Sequence, residues 1–183
     1  MPSIDRNPLP SGMGRLKLTK KNKISVFAGV FVFMFFIIIN TLFYKYIGFF
    51  TINVYPACLD GKYYFISRLN KKIKDGDYVA FKFKGSKFYK KGSIFLKSVG
   101  CTAGQKIVTK GYGYYCNGRL IDKACVTHKR CLPGWMKYNE IIPKGYFFAE
   151  GTNWKSYDSK YWGLASVSSI IGRGYKIIGG NPF

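Results

Sequence analysis

Residues 24–43 read ISVFAGVFVFMFFIIINTLF, with no charged side chain and only Ser25, Asn40 and Thr41 as polar ones. The hydrocarbon core of a bilayer asks for about 20 such residues in a helix. The run therefore predicts a transmembrane helix, bounded at 24–46 because Tyr44 and Tyr46 suit the interface. The apolar character continues into Ile47-Gly48-Phe49-Phe50. A cleaved signal peptide would have a shorter apolar core and a small-x-small cleavage site, so the bulky end of this run predicts an uncleaved anchor. Upstream, Arg6, Arg15, Lys17, Lys20, Lys21 and Lys23 face only Asp5. Basic flanks stay cytoplasmic, so residues 1–23 are expected to form a cytoplasmic tail and residues 47–183 a single extracytoplasmic domain.

That remainder is long enough for one compact core. With 21 glycines, 15 tyrosines and 16 phenylalanines in the chain, it favours strands separated by turns. Strand-like segments fall at 63–66, 78–83, 93–99, 106–109 and 111–115, with turns at 75–77 and 102–105. Asn117-Gly118 between Tyr115 and Leu120 is a hairpin signal. Residues 122–139 are less regular and read as an insertion. Turn and strand resume at 141–149, and 166–172 and 175–178 close the chain. No long helical stripe follows the anchor, so the predicted fold is mainly β.

The formal charge is +22. Such a balance points to nucleic acid, an anionic membrane surface or an acidic partner. Lys82, Lys84, Lys87, Lys90 and Lys91 alternate with Phe81, Phe83, Phe88 and Tyr89. Interleaving of this kind serves single-stranded nucleic acid or a strand resting on lipid headgroups. The anchor upstream favours the membrane surface, so no nucleic-acid partner is expected.

Five cysteines, Cys58, Cys101, Cys116, Cys125 and Cys131, leave at least one thiol unpaired within the chain. Cys125 and Cys131 could close a short loop, Cys116 could take either as its partner instead, and Cys101 is a candidate partner for Cys58. His128 is the one histidine. A zinc site built from it and the flanking cysteines fits no common spacing, so His128 reads as a loop residue, and no metal or cofactor is expected.

Two segments carry a family resemblance. Ser156-Tyr157-Asp158-Ser159-Lys160-Tyr161-Trp162-Gly163 resembles S-x-D-S-R-Y-x-G of the type I signal peptidases, with Lys160 where arginine is usual. Gly151-Thr152-Asn153 before it is similar to that family's G-D-N. Residues 97–105, KSVGCTAGQ, resemble K-x-V-x-G-x-P-G-D, with Ala103 for proline and Gln105 for aspartate. Asp75-Gly76-Asp77-Tyr78-Val79 and Cys116-Asn117-Gly118 resemble two further segments in the same order. The short domain, and Gly61-Lys62-Tyr63 after the anchor, look most like the TraF-type pilin peptidases of conjugative transfer. The resemblance implies a bacterial inner-membrane serine–lysine protease acting on a pilin or other secreted precursor.

In that family a serine hydroxyl attacks the scissile carbonyl and a neutral lysine amine takes its proton. An unperturbed lysine, near about 10.4, must be buried against apolar groups to do this. The resemblance gives Lys97 the role of general base, with Ser159 orienting the amine and Asp158 as a structural acid pairing Lys160. The nucleophile falls on Ala57, with Leu59 at the motif's proline; an alternative alignment on Pro56 puts Asn53 there. Alanine cannot attack a carbonyl. Three readings follow. The serine has been replaced or lost, which ranks first. Cys58 could serve instead, since a thiolate needs less activation. Or the chain is a pseudopeptidase scaffold or substrate-binding subunit of a secretion or conjugation apparatus.

Overall fold

The computed structural model describes residues 20–51, 58–61, 63–125, 134–153 and 155–178. It divides into two compact units, residues 1–42 and residues 43–183. The first unit is the body of helix α1, Lys20–Tyr46, whose apolar span is Ile24–Tyr46. Its side chains are apolar on every face, as a lipid-facing helix requires. The polar groups of Asn40 and Thr41 turn back on their own helix, donating to the carbonyls of Phe36 (2.9 Å) and Ile37 (2.8 Å). Neither group is then left unsatisfied in an apolar surrounding.

The second unit is two antiparallel sheets. The larger has seven strands: β1 (Ile47–Thr51), β2 (Tyr63–Ser67), β3 (Tyr78–Lys82), β4 (Ile94–Thr102), β9 (Tyr146–Glu150), β10 (Ala165–Ser166) and β11 (Ile170–Ile178). They lie in the order β1-β2-β11-β3-β4-β9-β10. The smaller sheet holds β5 (Lys106–Lys110), β6 (Gly113–Cys116), β7 (Arg119–Lys123) and β8 (Asn139–Ile141), in the order β7-β6-β5-β8. The fold is mainly β. β6 and β7 meet at Asn117 and Gly118, both at positive φ (47° and 83°), which is the two-residue turn that matches strand twist.

Three differences from the sequence reading stand out. Residues 47–51, to which the sequence reading assigned no strand, form β1, paired with β2 from Ile47↔Ser67 to Thr51↔Tyr63. The switch is enforced at Arg68, whose N–H donates to the Tyr46 carbonyl (2.9 Å) and whose guanidinium donates to that of Tyr44 (3.1 Å). Those are carbonyls a helix end leaves open. Second, the irregular stretch 122–139 begins inside β7 and ends on β8, so both of its ends belong to the smaller sheet. Third, Cys101 pairs with Cys116, neither with Cys58 nor with the cysteines near His128, because the end of β4 and the end of β6 lie 5.6 Å apart at Cα. Cys58 is a free thiol.

The core falls into clusters on the faces of the sheets. Val79, Phe81, Phe83, Val99, Phe147 and Trp162 form one, and Leu59, Tyr64, Ile66, Ala80 and Leu96 another. Phe81 and Phe83 of the lysine–aromatic stretch are thus interior, with Phe83 stacked on Phe95 at 4.4 Å, whereas Phe88 and Tyr89 are exposed.

Candidate active site

β4 is the central element. It lies between β3 and β9, so both of its edges are paired, and residues 96–101 are all buried. A lysine in such a strand is carried into the interior by its neighbours' packing. Lys97 sits opposite Val79 of β3 and is 3% exposed. Phe95 and Val99 share its face of the strand, and its Nζ lies 5.9 Å from the Phe95 ring centre. No carboxylate pairs with it among the described residues. Its hydrogen-bond partner is the Ser156 hydroxyl, at 2.7 Å. Ser156 is itself 2% exposed.

The sequence reading gave this place to Ser159. The Ser159 hydroxyl accepts from the Ala149 N–H (2.9 Å), and its carbonyl accepts from the Tyr138 hydroxyl (2.7 Å). The reason is local. A one-turn helix, α2 (Ser159–Trp162), starts at Ser159 and fastens it to β9. Ser156 precedes the cap, in the loop where its N–H donates to the Asn153 carbonyl. Both serines stand in the octet; nothing in their letters says which one faces Lys97.

Asp158 organises the loop. As the N-cap of α2 it accepts from the Lys160 N–H (3.1 Å), and it also accepts from the Gly151 N–H (3.2 Å) and pairs with the Lys160 ammonium (2.9 Å). One carboxylate therefore joins the end of β9, the cap and the buried cation. Lys160, fully buried, also pairs with Asp122 of β7, a partner that sequence gave no sign of. Burial works against charge on Lys160, but Asp158 and Asp122 outweigh it and raise its pKa above the ordinary lysine value. Asp122 is pushed up to about 6, first by burial and then by Asp158, against the pull of Lys160.

A third acid, Glu150, closes β9 opposite Ser98. It fills the space that Gly100 leaves by having no side chain. Gly100 falls where the β4–β9 register shifts, a bulge of the kind that re-aims strands beside functional sites. Burial first, then Asp122 and Asp158, raise Glu150 to about 8, and its Oε2 has no hydrogen-bond partner among the described residues.

The segment 58–61 is pinned beside this pair. Leu59 is buried in the cluster with Leu96, in the place of the motif's proline. Asp60 pairs with Lys176 (2.8 Å) and accepts from the hydroxyls of Tyr78 (2.8 Å) and Tyr64 (3.3 Å). A Cβ at Gly151 would collide with the Ser156 side chain and with the Cys58 carbonyl. Glycine there is what lets the end of β9, Ser156 and this segment meet. Cys58 is half-buried. Ala57, Asn53, Pro56, His128 and Cys131 lie outside the described residues.

A buried lysine hydrogen-bonded to a buried serine, on a β domain preceded by an apolar helix, fits a membrane-associated protein. The profile of the signal peptidase family, peptidase S26, matches residues 22–178, and the chain belongs to that family of serine-type peptidases. Among solved structures, a signal peptidase I from Enterococcus faecalis V583 is similar at 17% identity and a TM-score of 0.39, covering 55% of this chain and 95% of that one. No curated protein matches the chain.

Proposed function

We propose that this chain is the frame of a membrane-bound serine–lysine endopeptidase that cuts a pilin or other exported precursor at the membrane surface. The observation that carries the reading is the Lys97 amine, buried, without a carboxylate partner among the described residues and 2.7 Å from Ser156. In this mechanism Ser156 orients the amine. Lys97 takes the proton of a hydroxyl at position 57 as its oxygen attacks the scissile carbonyl. The lysine then gives that proton to the departing amine, and water releases the acyl group by the same route. Asp158 and Lys160 hold the loop that carries Ser156. The N-terminus is cytoplasmic and the β domain extracytoplasmic, in a bacterial inner membrane.

Position 57 is alanine, so the acylation step has no oxygen in this chain. Its restoration is the test: precursor cleavage in detergent by this chain, by Ala57→Ser, and by Ala57→Ser with Lys97→Ala. Cleavage by the second alone supports the reading. Cleavage already by this chain would transfer the role to Cys58, the free thiol next in sequence. Inactivity of all three would leave the second reading, favoured by Ala57: a pseudopeptidase scaffold or substrate-binding subunit.

A further inference from the structure

One pocket of the β domain has no part in the peptidase site. It has a volume of about 480 Å3, and Lys45, Arg68, Lys71 and Lys82 line it with Ser168 and Ser169. Lys45 belongs to the last turn of α1. Arg68 is tied to the same turn through the Tyr44 and Tyr46 carbonyls. The basic wall is therefore fixed to the end of the apolar span. That span has 23 residues, and at about 1.5 Å per residue it slightly exceeds a hydrocarbon core of about 30 Å. In a bilayer its last turn emerges among the headgroups.

Among the described residues no acid compensates the pocket's charge. The chain has eight acidic residues, and Asp5 lies outside the described ones. Asp60, Asp75, Asp77, Asp122 and Asp158 form ion pairs with residues that do not line the pocket. Glu140 and Glu150 stand on β8 and β9, and neither lines it. Four cations and two hydroxyls around one cleft suit the oxygens of a phosphate, with the guanidinium able to bind two at once.

We propose that this pocket binds the phosphate of an anionic phospholipid headgroup at the end of α1. The proposal rests on α1 crossing a bilayer and not on peptidase activity, so lipid binding and precursor cleavage fail separately.

The experiment is native mass spectrometry of the full chain in neutral detergent, titrated with phosphatidylglycerol or with phosphatidylcholine. Lys71→Glu with Lys82→Glu removes two pocket cations. Lys87→Glu with Lys90→Glu makes the same change of net charge outside the pocket. The expected result is a preference of about tenfold or more for phosphatidylglycerol, lost in the first variant and kept in the second, as headgroup attraction acts within a Debye length. Equal loss in both variants would make the preference one of net charge and overturn the proposal. So would retention in the pocket variant. Displacement of the lipid by millimolar inorganic phosphate would assign the site to free phosphate and overturn the lipid reading.

Discussion

Glu150→Gln should stabilise the β domain, and by an amount that depends on pH. An ordinary glutamate titrates at 4.5, whereas Glu150 is held at about 8 by burial and by Asp122 and Asp158. Below 4.5 the carboxyl is neutral both folded and unfolded, so it costs nothing. As pH rises from 4.5 to 8, the unfolded chain sheds a proton that the folded chain keeps. Stability falls across that window and then levels off. At about 1.4 kcal/mol per tenfold change in proton affinity, the loss is on the order of 3 kcal/mol at pH 7 and 5 kcal/mol above pH 8. Glutamine has the shape of the neutral acid and does not titrate. The orphaned oxygen beside Gly100 is unpaired in both proteins and cancels. Thermal unfolding of both proteins in the same detergent, from pH 4 to 9, reads the difference. The two should agree near pH 4, and the variant should melt on the order of 10 °C higher at pH 7. A difference independent of pH, or a variant less stable at pH 8, would refute the argument that Glu150 is folded as a neutral acid.

Three more outcomes follow from the same geometry. Lys160→Met leaves Asp122 and Asp158 buried without their cation and should cost about 3–5 kcal/mol in thermal unfolding. Gly151→Ala puts a Cβ into the Ser156 side chain and the Cys58 carbonyl; it should cost about 1–3 kcal/mol and, beside Ala57→Ser, remove precursor cleavage. Replacing Cys101 and Cys116 together by alanine opens a loop of sequence separation 15 and should lower stability by about 3 kcal/mol in denaturant titration.

Local pattern made much of this fold legible. Strand alternation located β2, β3 and β4, and Asn117-Gly118 located a hairpin, because those signals act between neighbours in sequence. β1 was hidden because Ile47-Gly48-Phe49-Phe50 is as apolar as the helix before it, and only pairing with β2 makes it a strand. The site was legible in its letters and not in its partners. The octet contains both Ser156 and Ser159, and a single turn of helix decides which one meets Lys97. Glu150 and Asp122 carry no local signal at all: strand register brings one beside Gly100, and the smaller sheet brings the other to Lys160. The Cys101–Cys116 bridge was equally beyond reach, since it depends on how the ends of β4 and β6 approach.

The most direct test of the central claim, a Lys97 base oriented by Ser156, is single-turnover cleavage of a membrane precursor in the Ala57→Ser background with Ser156→Ala or Ser159→Ala added. The account predicts that Ser156→Ala slows cleavage about 100-fold, in the range of losing a positioned acid–base group. Ser159→Ala should lower the melting temperature and leave the rate of the folded enzyme within a few-fold. Equal rates for Ala57→Ser with and without Ser156, or a larger loss at Ser159, would contradict it.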